Sequence, residues 1–268
     1  MEDDQTVLRG PGTNPGAAPH FGLSPDLERL RAQARGFAAR LRPRAAENEW
    51  LPIRERVDWG MVEEASRLGW RTLGLPVADG GGGASALALN VLIEELAAGD
   101  MGFAVIIDQT LKVQRIISRY EPGHAYRYFL EHFLSDPRAV LAICFTEPEN
   151  GSDYIIPAPD FRFRTSAVQR PDGSWVLNGY KRFISNGADA RFYLVFASTD
   201  DTKAAHLGTS VFLLEPGIEG FEVDRVHDKI SQRTINNAAL RFTDVVLEGW
   251  RMIGPAQLGY AGAREILK

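Results

Sequence analysis

Residues 144–153 read Cys144-Phe145-Thr146-Glu147-Pro148-Glu149-Asn150-Gly151-Ser152-Asp153 and follow without a break on the apolar run Ala139-Val140-Leu141-Ala142-Ile143. The run predicts a buried strand. The stretch after it consists almost wholly of residues that cap, turn and hydrogen-bond. Turn formation accounts for part of that chemistry. Backbone groups freed where a strand ends can also hold a ligand, so this junction is where the fold and the function of the chain are both to be sought.

Upstream of the junction the texture is helical. Ser24-Pro25-Asp26 carries the N-cap, first-turn proline and early acid of a helix start, and Leu27, Leu30, Ala34, Phe37, Ala38 and Leu41 recur at helical spacing behind it. The same periodicity predicts helices over 58–69, 85–99, 103–120 and 122–134. Gly74–Gly83, with four consecutive glycines before a helix start, fits neither the dinucleotide nor the P-loop pattern and is expected to be a flexible connector between helices. Downstream of Pro137 come short β-branched and aromatic runs at 139–145, 161–168, 174–179, 192–199, 210–215 and 238–242, with Pro171-Asp172-Gly173-Ser174 as a hairpin turn. Helices ahead of strands without alternation predict an α+β chain rather than a parallel βαβ fold.

Composition narrows the function classes. With 44% hydrophobic and 24% charged residues the chain is of ordinary globular type, and no apolar run is long enough to span a membrane. The net charge of −5, with basic residues scattered among acidic ones, makes nucleic acid a poor partner. Cys144 is the only cysteine, so no intrachain disulfide forms, and its apolar flanks predict a buried core residue. A reducing cytosol fits. The segment 1–23 has acids where a signal peptide needs bases, and is expected to be a flexible tail. His124 and His132 have no second cluster at ligand spacing, so no metal is expected.

Two further segments join the first. Asn178–Gly187 reads NGYKRFISNG, and Asp228–Val245 reads DKISQRTINNAALRFTDV. Taken singly they predict a hairpin bearing a lysine and a strand pair with an arginine. Together, in this order and behind a helical region, they resemble the acyl-CoA dehydrogenase family. Residues 145–153 are similar to that family's Thr-Glu-Pro-x-x-Gly-Ser-Asp signature at every fixed position. GYKRFISNG is similar to its Gly-x-Lys-x-Trp-Ile-Ser/Thr-Asn-Gly, with Phe183 for the tryptophan. QRTINNAALRFTDV is similar to its Arg-to-Phe-x-Asp-Val segment, with Ser231 where glycine is usual. The glycine-rich stretch and the Glu94-Glu95-Leu96-Ala97 helix after it also match.

The resemblance implies a helical domain over 24–137, a barrel- or sandwich-like β domain over 138–250 that contacts FAD, and over 251–268 the start of a C-terminal helical segment. It implies flavin contacts from Ile143, Cys144, Phe145 and Thr146, whose backbone at a strand end can offer N–H and C=O groups to the ring's polar edge. It implies the same for Phe183, Ile184 and Ser185, the last with its hydroxyl toward flavin N5. Ser152 is expected to touch both FAD and an acyl-CoA thioester. Glu147 and Asp153 are expected to cap or pair locally, and Lys181, Arg182 and Arg233 to lie at the surface or in ion pairs.

The family reaction, α,β-dehydrogenation of an acyl-CoA, needs a carboxylate base. In the family this glutamate lies on C-terminal helices that these 268 residues are expected to lack, and Glu265 sits about a turn early by register. No catalytic residue is assigned. The expectation is an enzyme half completed by a helical partner in a homo- or hetero-oligomer. The alternatives are an inactive homologue serving as an interaction subunit, or a relative that oxidises nitroalkanes or runs flavin monooxygenation.

Overall fold

A computed structural model describes residues 22–120, 123–151 and 161–257. Five helices come first: α1 (Pro25–Asn48), α2 (Trp59–Arg67), α3 (Ala86–Gly99), α4 (Met101–Ile117) and α5 (His124–Ser135). Ser24, Asp58, Ser85 and Asp100 cap the first four, each side chain accepting from the N–H three residues on. The apolar stripe of α1 meets α3 and α4 in one core, where Phe37 packs on Trp70 and Phe103 at 5.1 and 5.5 Å between ring centroids.

The strands are β1 (Leu141–Cys144), β2 (Ser166–Gln169), β3 (Trp175–Ser185), β4 (Phe192–Ser198), β5 (Thr209–Leu214), β6 (Phe221–Val226), β7 (Asn237–Leu247) and β8 (Met252–Ile253), with a one-turn helix α6 (Ala205–Gly208) before β5. They form one mixed sheet in the order β6-β7-β3-β2-β4-β5-β8, and β1 pairs in parallel with β4. The path is open at β6 and β8, so the sheet does not close into a barrel. It folds back on itself instead: Trp175 of β3 reaches Phe212 of β5, and Tyr193 of β4 reaches Phe221 of β6, between strands that are not neighbours. The result is sandwich-like. Alternation along β4 sorts the two faces, with Phe192, Leu194 and Phe196 turned to α5 and Tyr193, Val195 and Ala197 turned into the sandwich.

Four features depart from the expectations drawn from sequence. Residues 178–187 do not turn as a hairpin. They continue β3 to Ser185, antiparallel to β7 over most of its length. Residues 228–245 are not a strand pair but a loop followed by the single strand β7. Of 161–168 only the last three residues are strand, because the N–H groups of Arg164 and Thr165 turn to Glu147. β6 went unanticipated, since three of its six residues, Glu222, Asp224 and Arg225, are charged.

The glycine-rich connector is also more ordered than a loose linker. Its N–H groups at Gly81, Gly82, Gly83 and Ala84 donate back to Pro76, Thr72, Leu75 and Leu73. A Cβ on Gly81 would collide with the Leu75 backbone, so glycine here serves close approach of chain to chain.

Helices and sheet are joined by polar staples within the apolar contact. Thr234 Oγ1 donates to the Asp100 cap, and the Leu141 N–H donates to Thr110 Oγ1 at 3.2 Å. Arg71 is buried, donates to the carbonyls of Phe133 (3.0 Å) and Ala139 (3.4 Å), and lies over the Phe133 ring. Burial pulls its guanidinium down to about 10.

Candidate functional site

The two quoted motifs meet where β1 ends. Beyond Cys144 the chain is held against β3 by the Arg182 N–H, which donates to the Thr146 carbonyl at 2.8 Å, and by Lys181 Nζ, which donates to the Phe145 carbonyl at 3.0 Å. These carbonyls serve β3. Lys181 is wholly buried, 2.9 Å from Glu147 Oε1 and 4.1 Å from the Phe163 ring centroid. Glu147 also accepts from the N–H groups of Arg164 (2.7 Å) and Thr165 (2.9 Å). Burial opposes its ionisation, but Lys181 and these donors outweigh burial and hold the carboxyl below its ordinary range. Glu147 is thus a local pairing residue, and Lys181 an ion-pair residue of the interior rather than of the surface.

One residue more on β3 than on β7 shapes the next step. Lys181 pairs with Leu240 and Ile184 with Ala238, so Arg182 and Phe183 together oppose Ala239 in a β-bulge. The bulge lets Lys181 and Ile184 both point inward and turns Phe183 out, where it is 52% exposed. Phe183 takes φ +58°, a left-handed conformation that costs a bulky residue of order 1–3 kcal/mol. Asn237 closes the bulge by donating from Nδ2 to the Phe183 carbonyl at 2.9 Å. The His227 ring packs on the Phe183 ring at 4.9 Å, and the Arg182 guanidinium lies 4.5 Å from the same ring.

The remaining expected residues divide by what they can offer. Cys144 and Ile184 are buried in the sandwich core, so only their backbones are available to a ligand. Burial pushes the Cys144 thiol up, which makes it inert. Phe145 stacks on Phe196 at 3.9 Å, also within a core. Ile143, Thr146 and Ser185 are half-buried. The Ser185 hydroxyl makes no hydrogen bond to another described residue. Ser152, Asp153 and Glu265 lie outside the described residues.

Sequence reasoning passed over three residues of this site. Asn186 has both side-chain hydrogens engaged, donating to the carbonyls of Ile106 on α4 (3.2 Å) and Leu141 on β1 (3.0 Å). His227 Nε2 and Asn237 Oδ1 are buried and have no hydrogen-bond partner among the described residues. Burial and the neighbouring Arg182 and Arg225 hold the His227 imidazole below its usual range. Asn186 and Asn237 stand inside the quoted motifs, but asparagines in such company read as turn formers.

An outward aromatic and an uncommitted hydroxyl on β3, with two orphaned polar atoms on β7 and just past the end of β6, suit a flat, heteroatom-rich ring. Comparison with known proteins bears on what the whole surface belongs to. Residues 24–120 match the model of the acyl-CoA dehydrogenase N-terminal domain, and residues 142–245 match that of the acyl-CoA dehydrogenase middle domain. A short-chain specific acyl-CoA dehydrogenase of Clostridium acetobutylicum is 29% identical over 255 residues, covering 92% of this chain and 62% of that protein. Its counterpart in Megasphaera elsdenii is 32% identical over 182 residues, covering 68% and 45%. The solved structure of butyryl-CoA dehydrogenase from Megasphaera elsdenii superposes with a TM-score of 0.78 at 28% identity, over 93% of this chain and 63% of that one. The chain therefore spans about half to three fifths of the length of the relatives it matches. Two domain models in the expected order, over 24–120 and 142–245, the second holding all three quoted motifs, show that this chain belongs to the acyl-CoA dehydrogenase family.

Proposed function

We propose that this chain supplies the flavin-contact half of an FAD-dependent acyl-CoA dehydrogenase, an oxidoreductase acting on the α,β carbon–carbon bond of an acyl-CoA thioester. The observation that carries this is the β3 bulge, which sets Phe183 and Ser185 beside the open end of β1 in a chain of this family. When bound, FAD supplies the hydride acceptor. The chain's own residues then hold and orient it: Phe183 offers an apolar face, the Ser185 hydroxyl a donor toward N5, and the backbone from Ile143 to Thr146 and through Ile184 the polar contacts. His227 Nε2 and Asn237 Oδ1 are at hand for further hydrogen bonds. Ser152 is assigned to both cofactor and thioester.

No side chain among the described residues is assigned as the proton-abstracting base. We place it on helical structure outside the described residues that completes the site, with a homo- or hetero-oligomer as the proposed assembly. The domain limits follow as 24–137 and 138–250, with 251–268 leading toward that helical part, and a cytoplasmic location suits the lone, buried thiol.

The test is direct. The purified chain is titrated with FAD by fluorescence, alone and with the C-terminal helical domain of a relative added in trans, and then mixed with acyl-CoA while the flavin absorbance is followed. Saturable FAD binding, with bleaching when the helical domain is present, is the expected result. Absence of FAD binding under both conditions overturns the proposal. Bleaching by nitroalkanes but not by acyl-CoA would transfer it to another chemistry on the same fold.

A further inference from the structure

The face of α4 that the rest of the molecule leaves open is charged. From Gly102 to Ile117 most of α4 is buried, and the half-exposed residues are Val105, Asp108, Gln109, Lys112 and Arg115. The first four stand at i, i+3, i+4 and i+7, and so form a single stripe. This stripe adjoins the candidate site. Asn186, the residue after Ser185, is bonded to the carbonyl of Ile106, which clamps the turn bearing Val105 to the strand end bearing Ser185. Lys112 lies about 9 Å further along the helix axis, at about 1.5 Å per residue, and long helical side chains lean back toward the N-terminus. That is a span a short acyl chain covers.

Within the stripe Lys112 Nζ pairs with Asp108 Oδ2, the two side chains 39% and 26% exposed. An ammonium has three donors. Asp108 takes one, and no other described residue accepts from Nζ. An aliphatic chain laid over this pair would remove its water and return nothing. A chain that ends in a carboxylate returns a charge-assisted hydrogen bond to each donor it meets.

Resting on the acyl-CoA proposal above, we infer that Lys112 reads the far end of the acyl group, and that the substrate class is the short-chain dicarboxylic monothioester. Asp108 positions the ammonium and keeps the site from accepting an anion of any shape. Lys112 is in this sense a specificity residue, set on the helical part of the chain while the cofactor contacts lie on the sheet.

The experiment measures binding, not turnover. The full chain, with FAD and the C-terminal helical domain of a relative present, is titrated calorimetrically with glutaryl-CoA, butyryl-CoA and octanoyl-CoA. Glutaryl-CoA is expected to bind about tenfold tighter than butyryl-CoA, as one charge-assisted hydrogen bond gives, and octanoyl-CoA to bind weakest. Lys112→Met should abolish the glutaryl preference, and Lys112→Arg should keep it. The double variant Asp108→Asn with Lys112→Met leaves no charge unpaired, and should bind butyryl-CoA at least as well as the unaltered chain. Equal affinity for glutaryl-CoA and butyryl-CoA, or a preference that survives Lys112→Met, overturns the inference while leaving the acyl-CoA proposal standing. Failure of all three thioesters to bind overturns both.

Discussion

Ser185 and Asp189, four residues apart, illustrate how neighbouring polar groups at one strand end come to different tasks. The Ser185 hydroxyl has no hydrogen-bond partner among the described residues, so its removal is expected to be felt only when cofactor is bound. Deleting one donor aimed at a forming anion costs about 2.7–4 kcal/mol in an enclosed site, and the half-exposed position of Ser185 lowers this to about 1–2 kcal/mol. Ser185→Ala should therefore weaken FAD binding or lower its reduction potential, read by fluorescence titration and potentiometry, with no change in the thermal midpoint of the cofactor-free chain. Asp189 shows the reverse. It accepts from Asn236 Nδ2, yet burial pushes its carboxyl up to about 6, with Arg54 pulling the other way. The folded state then binds more protons than the unfolded one between about pH 4 and pH 6, and stability is lost as pH rises through that window. Asp189→Asn should flatten the loss and gain about 1–2 kcal/mol at neutral pH, after allowance for partial exposure. Denaturant melts at about pH 4 and about pH 7 decide it.

At the scale of the element, the ion pair of Lys181 and Glu147 fastens β3 to the chain beyond β1. Breaking it from one side leaves a buried charge, which costs about 3–5 kcal/mol. Lys181→Met should lose that much. Adding Glu147→Gln should restore part of it, because no buried charge is then left unpaired and the single glutamine oxygen still accepts from one of the Arg164 and Thr165 N–H groups, which now use separate carboxylate oxygens. Chemical denaturation of both single variants and the double variant gives the coupling. Much of the element map was legible in the sequence. Helical periodicity marked all five long helices, and a cap signature marked the start of α1, because those signals are local. The β3 bulge was not legible, since one extra residue shows only against the register of β7. The bond from Asn186 to α4 was equally hidden, as its partners stand 80 and 45 residues away. Flavin-site candidates were found through a resemblance in motif, which locates residues without saying which face the register turns outward. Hence Phe183, Cys144 and Ile184 stood together as candidates, although only Phe183 presents its side chain.

Across the whole molecule, the exposed apolar residues are unevenly placed. Ile230 is fully exposed and Trp50 is 84% exposed, on loops joined through Asp228, Arg56 and Arg233. Such surface tends to be occupied in globular proteins. Sedimentation across the micromolar range should show association that a paired Trp50→Ser and Ile230→Ser variant loses, and a well-behaved monomer that binds no hydrophobic dye would speak against an oligomer. The α+β division was legible because helical and strand textures do not interleave. The sandwich was reached through the resemblance and not from the strand pattern, because contacts such as Trp175 on Phe212 join distant strands. The Asn186 staple also has a meaning in time. Leu141 leaves the ribosome 45 residues ahead of Asn186, a delay of a few seconds at about 5–20 residues per second. Through that interval the nascent chain carries α1 to α5 complete while Ile106, bonded only within its own helix to Thr110, and Leu141 both await Asn186, so the helical part is born first and receives its working alignment only when Asn186 emerges.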